Sequence, residues 1–112
     1  MKTVTAIGSL SINKKVKENV FVAEPGEPIF GGYENRRGEI SLFGEEIAYR
    51  INSKSGTVQQ RPPLNAGAQA KYEAAEAGEA FEYCNVKFRR LSNEEIVKIC
   101  ASGPFRATPK QL

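Results

Sequence analysis

The sequence predicts a single α+β domain with a mainly antiparallel, curved sheet of about five to six strands and two short helices in the C-terminal half. Three observations favour this fold class. The length of 112 residues, with 40% apolar and 26% charged residues, fits one folded domain. Short segments alternate between apolar and polar residues, which is typical of strands. Two later segments carry helix start signals instead. We therefore expect a domain over residues 1–104 and a tail over residues 105–112.

The connections between these segments are short, so we expect the strands to pair mostly antiparallel, with both helices on one face or end of the sheet. A partly closed barrel of the OB type is the alternative arrangement. The first expected pairing is a hairpin near the N-terminus. Residues 3–12 alternate, Asn13–Lys15 make a plausible turn, and residues 16–22 continue the pattern. The basic tip at residues 13–17 is expected to be a solvated turn, with nonspecific phosphate contact as the alternative.

The next segment, residues 24–38, has no regular period and carries two Pro and four Gly. It is therefore expected to be a long connection, and loops of more than about 12 residues are often functional. Within it, Gly31 and Gly32 would allow the backbone to approach a ligand closely. The alternative is a loop that folds over the core with Phe30 tucked inside.

Residues 39–51 give the strongest local signal for a hairpin. A two-residue turn at Gly44–Glu45 pairs Leu42 with Ile47 and matches the face of every residue with that of its partner. The expected apolar face comprises Ile40, Leu42, Ile47, Tyr49 and Ile51, and a charge pair of Glu39 with Arg50 lies on the other face. Residues 52–56 form a second turn, and residues 57–60 form a third strand.

Two helices follow from capping signals. Asn65 can cap a helix over residues 66–77, in which Tyr72 is the only large apolar side chain and Gly78 provides the stop. A flexible linker is the alternative for this Ala-rich segment. Further on, Ser92 and Glu95 have the spacing of a capping box, which predicts a helix starting at Asn93.

Between the helices, residues 80–90 alternate as one continuous strand. Cys84, Val86 and Phe88 are expected to face inward. The opposite side, with Phe81, Tyr83, Asn85, Lys87 and Arg89, is expected to face water. An aromatic and basic sheet face of this kind can stack bases and neutralise phosphates. The alternative is that a helix covers the rings and that the cations are an ordinary solvated surface.

The composition excludes several classes of chemistry. The chain has no His and no Trp, and all 13 of its acidic residues are Glu. Catalysis by imidazole and the usual zinc sites are therefore excluded, and we expect no cofactor. Cys84 and Cys100 are expected to be reduced and buried. The N-terminus makes a poor signal sequence and no apolar run is long enough to span a membrane, so we expect a soluble, cytoplasmic protein.

The net charge of +3 permits binding to nucleic acid without requiring it. The candidate residues for binding nucleic acid or a partner are aromatic or basic, and in chain order they are Phe30, Tyr33, Arg36, Arg37, Phe81, Tyr83, Lys87, Arg89 and Arg90. The leading hypothesis is a small non-enzymatic protein that engages nucleic acid or a nucleoprotein complex through these residues. The alternative is a phage- or mobile-element-type inhibitor or adaptor that binds a protein through residues 29–38 or a sheet edge, where a homodimer is also conceivable. A third hypothesis is a metal-independent enzyme that uses Glu and Arg.

Overall fold

Nine strands form one mixed sheet in the computed structural model, which describes residues 5–17, 20–23, 26–52, 54–103 and 105–107. The elements, in chain order, are β1 (Gly8–Leu10), β2 (Ile12–Lys17), β3 (Val20–Ala23), β4 (Glu27–Ile29), β5 (Gly31–Asn35), β6 (Ile40–Phe43), β7 (Ala48–Asn52), β8 (Thr57–Arg61), α1 (Ala66–Ala74), β9 (Ala80–Tyr83), β10 (Val86–Arg90), α2 (Asn93–Ala101) and β11 (Phe105–Ala107). The order in the large sheet is β3-β2-β11-β8-β7-β6-β5-β10-β9, and β1 and β4 form a separate two-stranded ribbon.

The prediction of a single α+β domain with two short helices in its C-terminal half is confirmed, but the predicted mainly antiparallel sheet of about five to six strands is wrong, because the sheet is larger and mixed. The structure has nine strands in that sheet, and β11 runs parallel to both of its neighbours, β2 and β8. Phe105–Ala107, expected to belong to a tail, thus form an inner strand, and the Phe105 side chain is buried. Residues 108–112 lie outside the described residues. Neither helix among the described residues is long and apolar enough to cross a membrane.

Two apolar clusters form on opposite faces of the sheet, because neighbouring residues of each strand point to opposite sides. The larger cluster lies under α2 and the β1–β4 ribbon, and its buried members are Leu10, Ile12, Ile29, Leu42, Tyr49, Ile51, Val58, Leu91, Ile96 and Phe105. The smaller cluster lies under α1 and is built on Phe43, Ala48 and Tyr72. The two helices therefore lie on opposite faces, so of the two expected arrangements, one face or one end of the sheet, the first is wrong.

The capping signals predicted the first residue of both helices correctly, although α1 ends at Ala74 and not at the predicted residue 77. Asn65 accepts a hydrogen bond from the Ala68 backbone, and α1 follows it. Ser92 and Glu95 form the complete capping box, and α2 begins at Asn93 as predicted. Each cap satisfies backbone N–H groups that have no partner within the helix, and for this reason these signals are local and strong.

The strand pairs near the N-terminus differ from the prediction. Asn13–Lys15 lie inside β2 instead of forming a turn, because β2 extends to Lys17 and pairs with β3. β1 pairs with β4, so part of the segment expected to be a long connection is a strand. The same segment also contains β5, and its described part includes a tight turn at residues 35–38.

The hairpin of β6 and β7 has the predicted apolar face but a different register. Leu42 lies opposite Tyr49, and Phe43 lies opposite Ala48. The connection is thus the four residues 44–47, closed by a hydrogen bond from the Gly44 N–H to the Ile47 carbonyl oxygen at 2.9 Å. The difference from the predicted register is two residues, which preserves the faces, although Ile47 is now exposed in the turn. The second turn and β8 agree with the prediction.

Candidate functional site

The segment from Ala80 to Arg90 is a hairpin and not the predicted single strand. Cys84 and Asn85 both have positive φ, 53° and 65°, and reverse the chain between β9 and β10. Phe81 therefore lies opposite Phe88 on one face of the sheet. Lys87 and Arg89 point to the other face, so the expected surface of rings beside cations does not form.

The rings of this hairpin pack against other rings on the α1 face of the sheet. Phe81 stacks on Phe88 with 5.4 Å between ring centroids, and Tyr33 meets Phe88 at 4.9 Å. The ring of Tyr72 on α1 is nearly perpendicular to that of Phe81, with 6.0 Å between their centroids. Tyr83 reaches Asn65 at the start of α1 with a hydrogen bond of 3.2 Å. The prediction that Phe81 and Tyr83 form an open stacking surface is wrong, because α1 packs beside them.

Two of the predicted basic residues hold the fold together. On the α2 face, Arg89 donates hydrogen bonds to Glu34 and to Glu95, at 3.2 Å and 2.7 Å from the same nitrogen. These contacts raise the pKa of Arg89 further above its usual range, and the Arg89 hydrogen bond is the main cause that lowers the pKa of Glu95 to about 2. Arg90 lies 4.6 Å above the Tyr72 ring and donates to the Ala75 carbonyl oxygen at 2.7 Å. Both guanidinium groups are therefore already engaged.

The two glycines of the predicted ligand loop, Gly31 and Gly32, leave space for neighbouring side chains to pack against β5. An added Cβ at Gly31 would lie 2.5 Å from the Tyr72 hydroxyl oxygen, and one at Gly32 would lie 2.7 Å from Leu42. The Gly32 N–H donates to the Tyr72 hydroxyl at 3.0 Å. The lack of side chains at these positions thus lets α1 and the core close onto β5. Phe30 is half-buried beside these glycines, and its backbone N–H donates to the Phe43 carbonyl oxygen at 2.8 Å.

Arg36 and Arg37 remain exposed, in the turn that joins β5 to β6. Asn35 holds this turn, because its side-chain oxygen accepts hydrogen bonds from the backbone N–H of Arg37 at 2.9 Å and of Glu39 at 3.0 Å. Gly38 completes the turn with a φ of +83°, which glycine adopts without strain. The turn therefore presents two adjacent guanidinium groups from a well-defined backbone.

A cleft of about 650 Å³ lies beside this turn, on the same face of the sheet as α1 but toward the other end of the strands. Its lining residues are Asn35, Arg36, Arg37, Glu39, Arg50, Val86 and Phe88. We call this the arginine cleft. Three guanidinium groups and one carboxylate give it a net positive charge. Val86 is 43% exposed and, with the half-buried Phe88, provides the apolar part of the surface.

Arg50 is one of the three arginines that line the arginine cleft. It lies on β7 opposite Ser41, on the face that also carries Glu39. Its Nε is shielded from solvent and, among the residues that the structure describes, has no hydrogen-bond partner. A buried polar group without a partner costs about 1–3 kcal/mol, and more when it is charged.

Glu39 is the single acidic group of the arginine cleft. Asn35 donates a hydrogen bond to its Oε1 at 2.9 Å, and this bond is the largest of the effects that lower the pKa of Glu39. Arg50 and Arg37 lower it further through their positive charges. Glu39 is therefore ionised at neutral pH, and the cleft holds a carboxylate as well as cations.

The predicted site residues are thus divided between several places. Arg36 and Arg37 lie in the arginine cleft, whereas Tyr33 and Phe81 belong to the ring cluster behind it and Lys87 is exposed on the opposite face. Arg50 and Phe88 line the cleft as well, although neither was among the candidate site residues predicted from the sequence. The polar position of Arg50 on its strand was a usable signal, but its role was assigned to a pair with Glu39.

The cysteines also differ from expectation. Both are free thiols, but Cys84 is exposed at the tip of the hairpin turn. Cys100 is half-buried, and burial raises the pKa of its thiol. Within the described ranges, no group of three or more Cys or Glu side chains is placed to hold a metal ion. In comparisons with protein-family models, with curated proteins and with solved structures, no match to this chain was found.

Proposed function

We propose that this protein is a non-enzymatic binding protein that holds single-stranded nucleic acid in the arginine cleft. The observation that carries the proposal is that three guanidinium groups, those of Arg36, Arg37 and Arg50, line one cleft. Guanidinium groups match phosphate oxygens with paired hydrogen bonds, and their charge favours a polyanion.

The apolar part of the cleft supports the same ligand class. Phe88 is fixed from behind by Tyr33 and Phe81, so its ring presents a rigid surface to the cleft. A base stacked on an aromatic ring contributes about 1–3 kcal/mol, and the contribution depends little on sequence. Cations beside one fixed ring therefore suit a strand whose phosphates and bases alternate.

The proposal is tested by binding of a fluorescent oligothymidylate, measured by anisotropy at several salt concentrations. We expect log affinity to fall linearly with log salt, because phosphate contacts release counterions. Arg36→Ala and Arg37→Ala should each reduce the slope by about 0.7, the value for one contact to a single strand. Lys87→Ala is the matched control, since it removes a cation one residue from Phe88 but on the other face of the sheet.

Two results would contradict the proposal. The first is the absence of oligonucleotide binding at low salt. The second is a slope that Arg36→Ala and Arg37→Ala leave unchanged, or that Lys87→Ala reduces as much as they do. An effect of Lys87→Ala would indicate that the oligonucleotide binds on the α2 face of the sheet.

A protein-binding module, of the phage or mobile-element type, is the second candidate because of one observation at the sheet edge. β3 is an outer strand with the sequence VFVA, and Val20 and Val22 are 49% and 51% exposed. Exposed edge strands without charges readily pair with another strand, either of a partner or of a second copy. If this candidate is right, Val22→Lys should abolish a native complex and leave oligonucleotide binding unchanged.

A further inference from the structure

A second depression adjoins the arginine cleft and is lined only by polar side chains. Its residues are Glu39, Arg50, Asn52, Thr57 and Gln59, and its volume is about 70 Å³. Glu39 and Arg50 line both the depression and the cleft. The space is sufficient for about two water molecules, and thus for the polar edge of a base instead of a whole nucleotide.

The carboxylate of Glu39 would be unfavourable in a site that binds only phosphate. A carboxylate repels phosphate and accepts hydrogen bonds without donating any. Among the described residues, one hydrogen bond reaches this carboxylate, from Asn35 to Oε1. The remaining lone pairs of the carboxylate can therefore accept hydrogen bonds from a ligand that carries N–H groups.

Glu39 and Arg50 lie close enough to contact one base together. Ser41 lies opposite Arg50 in the β6–β7 register, and Glu39 is two positions before Ser41 on the same face. Residues in this diagonal relation are about 7–8 Å apart, a distance that long side chains span. The two side chains thus offer paired acceptors and paired donors on either side of one small depression.

Guanine is the base that matches both side chains fully. Its N1–H and N2–H₂ groups are adjacent donors that suit a carboxylate, and its O6 and N7 are adjacent acceptors that suit a guanidinium group. Cytosine and adenine each offer a carboxylate only one amino group. Resting on the function proposed above, we propose that Glu39 and Arg50 together recognise a guanine base in the bound strand, with Asn52 and Gln59 bordering its edge.

The test compares oligothymidylates that carry one central guanine, adenine, cytosine or no replacement. We expect the wild-type protein to bind the guanine strand about tenfold more tightly than the others, because one well-placed bidentate contact to a base discriminates by about this factor or more. Glu39→Gln should remove most of this preference. The same variant should bind unsubstituted oligothymidylate more tightly than the wild type does, since it loses a negative charge near phosphates.

A competition experiment on the wild-type protein avoids any effect of substitution on folding. Guanosine monophosphate should displace labelled oligothymidylate at lower concentration than adenosine, cytidine or uridine monophosphate. Equal competition by all four, or a preference for cytosine, would overturn the guanine inference and leave the proposed function intact. A guanine preference that Glu39→Gln retains would overturn it as well. Failure to bind any oligonucleotide would overturn both proposals.

Discussion

Tyr72→Phe tests whether one buried hydrogen bond couples α1 to the sheet. The Tyr72 hydroxyl accepts a hydrogen bond from the Gly32 N–H at 3.0 Å, and both groups are buried. Phenylalanine keeps the ring contacts with Phe43 and Arg90 but leaves that N–H without an acceptor. A buried donor without a partner costs about 1–3 kcal/mol, and we expect the free energy of unfolding to fall by about 2 kcal/mol.

Urea denaturation measures this change as a lower midpoint at an unchanged dependence on denaturant. Tyr83→Phe is the control, because its hydroxyl bonds to Asn65 at an exposed position. Substitutions at such positions usually change stability by less than about 0.5 kcal/mol. If Tyr72→Phe is as mild as Tyr83→Phe, the reasoning that this hydrogen bond secures α1 is refuted.

Two further predictions concern stability. Gly31→Ala should lower the free energy of unfolding, measured in urea, by about 1–3 kcal/mol, because the added Cβ would lie 2.5 Å from the Tyr72 hydroxyl oxygen. The same substitution should lower it by less in the Tyr72→Phe background, where that oxygen is gone. Equal losses of stability in both backgrounds would contradict this prediction. The pKa of Glu95 is lowered from 4.5 to about 2, so the ionised Glu95 side chain stabilises the folded protein fully above pH 4.5. This contribution to the free energy of unfolding is lost as the pH falls toward 2. Because Glu95 is 37% exposed, screening reduces the effect to about 1 kcal/mol. Glu95→Gln, which keeps an acceptor for the capping box, should remove this pH dependence, and an unchanged acid profile would rule out the assignment.

The elements that the sequence predicted correctly depend on contacts near in the chain. The Ser92–Glu95 capping box and the Asn65 cap each involve residues three positions apart, so the pattern and the structure coincide. The apolar face of β6 and β7 was correct for a related reason. Alternation fixes which residues share a face even when the register is two residues off.

The errors arise where distant residues decide the conformation. Phe81 and Phe88 would lie on opposite faces of one strand, because they are separated by an odd number of positions, but they become partners when Cys84 and Asn85 reverse the chain. Asn is common in such turns, whereas Cys gives no turn signal. Gly31 and Gly32 were interpreted as a loop because their role depends on Tyr72, some 40 positions away. The arginine cleft could not be predicted until these faces were known.

The position of β11 constrains how the protein is made. In the large sheet, the β2–β3 pair is hydrogen-bonded to the other strands through β11, and Ile12 faces Phe105, which lies 93 positions later in the chain (105 minus 12). During translation, β2 and β3 therefore cannot join the rest of the large sheet until β11 has left the ribosome. Loop closure over such a separation is slow, and unpaired strands are prone to aggregate. A nascent chain stalled before Phe105 thus exposes both β2 and β8 to incorrect pairing.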